Sequence, residues 1–216
     1  MKKTETSSKP TKRSTYRHGD LRRALLETAY ESARVNGPNA IVLRELVRQV
    51  GVVPNAAYRH FADRQALLQE VSWAAQSACA QFIENELAGI DTKAGDEEIA
   101  RAKLRAVGAG YIHFARKEPG LFRTAFSVPA DLDNAANPAS AGESGLTPFQ
   151  LLSQALDGLV SAGVLSHERR QYAEFLAWSA VHGFAMLVLD GPLRALPETH
   201  MQLVGQRLLE MVERGL

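Results

Sequence analysis

Apolar residues recur every three or four positions along most of the chain, and no stretch alternates apolar with polar residues long enough to make a half-buried strand. Side chains at that spacing fall on one side of a helix and are buried best against other helices. The chain is therefore expected to be all-α. Leu21, Leu25, Ala29 and Ala33 form the first stripe, with Asp20 as the expected N-cap and "NGP" at 36–38 as the stop. A short second helix is expected over Leu43–Val50, a turn at Gly51, and a third helix over about Pro54–His60. Its first residue is a proline, at a position where the backbone N–H has no helical partner anyway. Asp63 is the expected cap of a long fourth helix carrying Leu67, Val71, Ala74, Ala78 and Phe82. A fifth ends near Lys117, "EPGLF" opens a sixth, and a seventh spans about Pro148–Ala162. An eighth begins at "HERR" and is broken by "DGPLRALP", and a ninth runs from about Glu198 to Arg214. Residues 127–147, "SVPADLDNAANPASAGESGLT", read as a long and mobile loop, because loops of that length are uncommon inside compact domains.

Charge is divided along the chain. The net charge of +1 conceals 13 Lys and Arg against 6 Asp and Glu in residues 1–64, and 12 against 18 in residues 65–216. A basic first part joined to an acidic remainder points to an anionic partner for the first part alone. The alternative is a solvated basic tail without a partner. Residues 1–18 carry Lys, Arg, Ser and Thr with no apolar face, and read as a disordered basic arm. They lack the apolar run of a secretory signal. The single cysteine, Cys79, excludes a disulfide within the chain and suits a reducing cytosol, so a cytoplasmic protein is expected. The longest uncharged apolar run, "FLAWSAVHGFAMLVL" at 175–189, is shorter than the roughly 20 residues that span a bilayer. A buried helix is expected there, and no membrane partner.

The stretch "VLRELVRQVGVVPNAAYRHFADRQALL" at 42–68 has the layout of a helix-turn-helix: two short helices about a glycine turn, then a longer one. Such a unit places its second helix in the major groove of DNA, with the residues near that helix's start facing base edges. Those residues are Pro54, Asn55 and Ala56, followed by Tyr58, Arg59 and His60. Asparagine can bond adenine by two hydrogen bonds. Tyr58, Arg59 and His60 can hold phosphates, and Arg44, Arg48 and Arg64 flank the unit. The alternative is a pair of packed helices that never meets nucleic acid.

The residues of this stretch also resemble the DNA-binding domain of the TetR family of transcriptional regulators. The shared features are the turn glycine Gly51, then Tyr58, His60 and Phe61, then Asp63, Arg64 and Leu67. The resemblance covers about residues 19–68. It implies a DNA-binding domain over 19–64, preceded by the arm, and a ligand-binding and dimerisation domain over 65–216. Two valines depart from the family pattern. Val42 and Val53 stand where the family has Ser or Thr, residues that cap a helix and reach a phosphate. Losing such a cap costs about 1 kcal/mol. The arm at 1–18 could replace the lost phosphate contacts, as N-terminal arms do elsewhere.

Farther along, Trp178, His182 and Gly183 resemble the Trp-x-x-x-His-Gly signature of one class of TetR C-terminal domains, and "KEPGLFRTAF" at 117–126 is similar to a segment of the same class. Trp178 and His182 are four apart and share a helix face. They are candidates for a ligand pocket wall, with Trp178 stacking and His182 hydrogen bonding; the alternative is a core pair. Tyr111, His113 and Cys79 are further candidates, and Phe114, Phe122 and Phe126 would give an apolar lining. Tyr111 and His113 are two apart and cannot both face one point. Gly183 would let another helix approach closely. Met201, Val204, Leu208, Met211 and Val212 form a stripe on the last helix. Paired with a second copy, the last two helices would make a four-helix interface and a homodimer; alternatively they face the protomer's own core.

No cofactor is expected. His113, His167, His182, His200 and Cys79 lack ligand spacing, so no metal site is expected either. The expectation is a ligand-responsive regulator that is not an enzyme. It would be a repressor holding double-stranded operator DNA as a homodimer and released by a small, mostly apolar effector. Two readings compete. An all-α enzyme would need a nucleophile–base pair or phosphate loop, and neither motif is found. A binding module that kept the helix-turn-helix shape without DNA affinity would explain the two valines.

Overall fold

The computed structural model describes residues 18–129 and 135–216, and among these are ten α-helices and no strand. They are α1 (His18–Asn36), α2 (Leu43–Val50), α3 (Pro54–Ala57), α4 (Arg64–Ala88), α5 (Asp96–Lys117), α6 (Pro119–Ala125), α7 (Pro148–Ser161), α8 (His167–Arg170), α9 (Ala173–Leu189) and α10 (Glu198–Gly215). Of the arm expected at 1–18, only His18 falls within the described residues. It already belongs to α1, so Asp20 lies inside the helix rather than at its cap.

Local chemistry sets most boundaries. α2 ends at Gly51, whose φ of 78° is left-handed and strained for any residue with a Cβ. The Gly51 and Val52 N–H groups return to the Arg48 and Val47 carbonyls and close the helix end. Asp63 caps α4 as expected, its carboxylate accepting from the Ala66 N–H at 2.8 Å. Thr147 and Gln150 form a reciprocal capping box at the start of α7. The eighth helix of the sequence reading is two helices. Tyr172, with φ of 62°, separates α8 from α9.

The segment 127–147 is only partly what its composition predicts. Residues 130–134 lie outside the described residues. The following part makes a short 3-10 turn at Pro138–Ser140 and is tied to α4. Ser77 donates to the Ala141 carbonyl at 2.6 Å, and the Glu84 carboxylate accepts from the Glu143 and Ser144 N–H groups at 2.9 and 3.0 Å. Side chains about sixty positions away hold it, which local composition cannot reveal.

α4 is the axis of the molecule. α1 and α6 pack on it near its start, and α5 and α7 farther along. α5 in turn is covered by α7, α9 and α10. Burial on α4 therefore wraps around the helix: Leu67, Val71, Ala75, Cys79 and Ile83 are buried, whereas Ala74, Ala78 and Phe82 of the expected stripe are only partly so. Phe61, Phe114 and Phe122 are at most 1% exposed. Each such side chain contributes about 1.5–3 kcal/mol of burial. Gly120, at the start of α6, lies against the Ala33 and Arg34 carbonyls of α1, where an added Cβ would come within 2.4 Å of both. No helix among the described residues is long and apolar enough to cross a membrane.

Candidate functional site

The helix-turn-helix is built from the inside out. Ala57 and Phe61 are buried in the core, and α3 packs against α2 and α1. The Phe61 N–H donates to the Ala57 carbonyl at 3.0 Å, so the chain keeps turning beyond Ala57 through His60. The opposite side of α3 faces outward. Val53, Pro54, Asn55, Tyr58 and Arg59 are exposed, while Ala56 and His60 are half-buried. Tyr58 is 56% exposed, which for an aromatic side chain leaves most of the ring to an outside surface. Arg44 and Arg48 are exposed on α2. Arg64 is placed differently from the others. Its guanidinium donates to the Ile41 carbonyl at 2.7 Å and the Pro38 carbonyl at 2.8 Å, tying the start of α4 to the turn before α2. Neither Val42 nor Val53 is replaced as a cap by any other side chain: both positions have extended backbone and no side-chain cap bond.

The second feature is a cavity of about 490 Å³ between α4, α5, α6, α7, α9 and α10. Its walls are largely apolar: Ile83, Leu104, Val107, Phe126, Phe149, Leu152, Leu209 and Val212 among others. No Asp, Glu, Lys or Arg lines it among the described residues. Its polar side chains include Gln76, Tyr111, Trp178 and His182. Three of these form a chain. The Trp178 indole N–H donates to the Tyr111 oxygen at 3.1 Å, and that oxygen lies 2.7 Å from His182 Nδ1. Burial pushes the Tyr111 hydroxyl's pKa well up and the His182 imidazole's down, so both stay neutral near pH 7. Gln76 donates from its amide to the Ala125 carbonyl at 2.8 Å, and the Ser72 hydroxyl donates to the same carbonyl at 2.9 Å. The end of α6 is thereby pinned to α4 beside the cavity.

Tyr111, Trp178 and His182, from two helices, thus meet at one wall. Phe114, Phe122 and Cys79 do not reach it. Phe122 lies behind that wall, its ring centroid 5.5 Å from both Tyr111 and His182, and Phe114 backs Phe122 at 6.2 Å. Cys79 is fully buried, and burial pushes its thiol's pKa far up. His113 points elsewhere: it is exposed, with Nδ1 3.2 Å from the Glu86 carboxylate. The i, i+2 spacing of Tyr111 and His113 required that separation. Sequence reasoning missed Trp73, Gln76 and Phe149. Trp73 left a readable signal, a large aromatic off the expected α4 stripe that needs a second apolar surface. Among the described residues no group of three or more His, Cys, Asp or Glu could hold a metal.

The last two long helices carry a further exposed surface. Tyr172 just before α9, Leu176, Met186 and Leu187 on α9, and Leu203, Val204 and Met211 on α10 are 38–64% exposed. Gly183 lies on the same part of α9 with no atom of this chain near the place of a Cβ. The α10 stripe read from sequence divides between two faces. Met201, Leu208 and Val212 pack on the core, whereas Val204 and Met211 are exposed.

Comparison with known proteins agrees with this architecture. Residues 25–71 match the family described as "Bacterial regulatory proteins, tetR family", and residues 104–212 match "Tetracyclin repressor-like, C-terminal domain". No curated protein matches the chain significantly. Among solved structures, a protein of unknown function from Rhodococcus sp. RHA1 is 26% identical, with a TM-score of 0.70 over 94% of this chain and 99% of that one. A TetR-family transcriptional regulator from Pectobacterium atrosepticum is 22% identical, with a TM-score of 0.57 over 94% and 97%. The TetR-family regulator PfmR from Thermus thermophilus is 20% identical, with a TM-score of 0.51 over 89% and 98%. With one family match at its helix-turn-helix and a second spanning half of its length, this chain belongs to the TetR family of transcriptional regulators.

Proposed function

We propose that the protein is a cytoplasmic, homodimeric repressor that leaves its operator when a small, mostly apolar effector enters the cavity. On this reading residues 19–64 hold the DNA and residues 65–216 bind the effector and dimerise. The observation that carries it is the course of α4. At its start Arg64 bonds the turn before α2, and farther along Trp73 and Gln76 line the cavity. A single helix thus touches both the DNA reader and the effector space. Asn55, Tyr58 and Arg59 are the outward side chains assigned to DNA, with His60 and Arg44 beside them. Arg64, also assigned to DNA, holds the reader's geometry through its bonds to the Ile41 and Pro38 carbonyls. The arm at 1–18 adds charge to the same partner.

The exposed apolar faces of α9 and α10 are assigned to a second copy. A twofold dimer places two recognition helices about 34 Å apart, one turn of DNA. The effector acts only through its differential affinity for the conformations with correct and incorrect spacing. No cofactor or catalytic step is assigned.

The test is fluorescence anisotropy against the fragment immediately upstream of the protein's own gene, at two salt concentrations, with Tyr58→Ala alongside. Tight binding that weakens with salt and with the substitution is the expected result. Uncapped α2 and α3 favour a second reading, a module without DNA affinity. Binding no tighter than to random DNA, restored when Ser is placed at 42 and 53, would support that second reading; binding that stays absent would point to an operator elsewhere.

A further inference from the structure

The polar corner of the cavity has its protons fixed by connectivity. An indole nitrogen only donates, so the Tyr111 oxygen accepts from Trp178. The hydroxyl proton of Tyr111 then has to go somewhere. Tyr111 is 5% exposed, and a buried unpaired O–H costs about 1–3 kcal/mol. His182 Nδ1, at 2.7 Å, is the acceptor within reach. Nδ1 therefore accepts, and the proton of the neutral ring sits on Nε2. Phe122 lies tilted against the His182 ring with centroids 5.5 Å apart, and Phe126 meets it edge-on at 5.2 Å, which holds its plane. Nε2 has no bond to another side chain or to backbone among the described residues, and it is not a sealed, unpaired atom either. It is a fixed donor left over for the cavity that His182 lines.

Charge decides what that donor can meet. The cavity has no ionised side chain among its described lining residues. A carboxylate or ammonium buried there would lose its hydration with no counter-ion to replace it. Gln76 directs its amide nitrogen to the Ala125 carbonyl at 2.8 Å and, with its second N–H, to the Ser72 hydroxyl at 3.5 Å, so its oxygen is the group left for the cavity.

We propose that the cavity selects a neutral, largely apolar molecule carrying a hydrogen-bond acceptor, a carbonyl or ether oxygen, which accepts from His182 Nε2–H while Tyr111 holds the ring in that tautomer. The proposal rests on the cavity being the effector site. Tyr111 is a positioning residue here, because it acts through His182.

The test uses four probes of similar shape: 2-acetonaphthone, 2-ethylnaphthalene, 2-naphthoate and 2-naphthylmethylammonium. Binding to the full chain is measured by calorimetry, and the nitrogen chemical shifts of His182 are read by NMR in the ligand-free protein. The expected results are an Nε2-protonated ring and a ketone bound about tenfold tighter than the hydrocarbon, the range set by one donor satisfied or left bare. The two ions should bind more weakly than the ketone. His182→Phe should erase the ketone's advantage and keep hydrocarbon binding. Tyr111→Phe should reduce the advantage by mixing the tautomers, again with hydrocarbon affinity kept; a merely structural role would weaken both probes alike.

An Nδ1-protonated ring, equal affinities for ketone and hydrocarbon, an ion as the tightest probe, or no binding of any probe at millimolar concentration would overturn the proposal. Operator release is not part of this readout. A ketone that binds as expected but leaves the operator occupied would count against the repressor reading alone.

Discussion

Val42 and Val53 are the residues at which chemistry and family pattern disagree. Val42 has extended backbone and is 39% exposed, so little burial is lost on replacing it. Three positions on stands Glu45. The Glu45 N–H and the N–H of residue 42 already donate to the Val42 and Ala40 carbonyls, each at 2.9 Å, so Val42→Ser would offer each of them a second, capping-box acceptor. It is expected to raise unfolding free energy by about 1 kcal/mol, read as a higher urea midpoint at unchanged slope. Val53→Ser should add a phosphate contact as well as a cap. Affinity should then rise for every DNA sequence alike while the slope of log affinity against log salt stays unchanged, because a neutral hydroxyl displaces no counterion. His182 carries a residue-scale prediction of another kind. Burial lowers its pKa in the fold, so between pH 7 and pH 5 the unfolded chain takes up a proton that the native ring resists. Stability should fall as pH drops through the ordinary histidine range, and part of that fall should vanish in His182→Phe. Denaturant midpoints at several pH values would check both.

At the scale of elements, the proposed dimer would use the exposed apolar residues of α9 and α10. Gly183 sits there with open space where a side chain would go, which suits close approach of a second helix. Gly183→Arg and Leu176→Glu are each expected to give monomers by light scattering, with helical content retained. Operator affinity should fall with the loss of the second recognition helix. Much of this level was legible in the sequence. Periodicity gave the helices, and Gly51, Pro54 and Asp63 marked their ends. The break at Tyr172 was not legible, because a tyrosine at positive φ carries no local signal. The stripe on α4 was misread for a different reason. A helix packed on several sides has no single apolar face, so Ala75, Cys79 and Ile83 were overlooked in favour of Ala78 and Phe82. At the cavity, the pair Trp178 and His182 was visible as an i, i+4 spacing. Their meeting with Tyr111 depends on how α5 and α9 cross, which no local pattern encodes.

Across the whole molecule, the question is how a filled cavity could reach a DNA-binding surface at the other end of α4. On the proposed reading, the Ala125 carbonyl is where a ligand would gain purchase. It ends α6, accepts from Ser72 and Gln76 of α4, and belongs to a residue that lines the cavity. α6 begins at the tight contact of Gly120 with α1. A molecule pressing on Gln76 and Phe126 therefore bears on α4 and α6 together, and both lead to the helix-turn-helix. If operator release works through this junction, thermodynamic linkage fixes its size from both ends. The factor by which an effector weakens operator binding must equal the factor by which operator weakens effector binding, typically 5- to 150-fold, or about 1–3 kcal/mol. Gln76→Leu keeps the shape of the side chain and removes its bond to Ala125. It should bring both factors down together, while effector affinity in the absence of DNA changes less. Anisotropy with and without effector, and calorimetry with and without operator, give the two factors separately. Factors that keep growing as either ligand is added would mean competition for the DNA face, and factors that depend on protein concentration would mean dissociation of the dimer. Equal factors untouched by Gln76→Leu would move the coupling path away from Ala125, to the contact between α6 and α1 at Gly120.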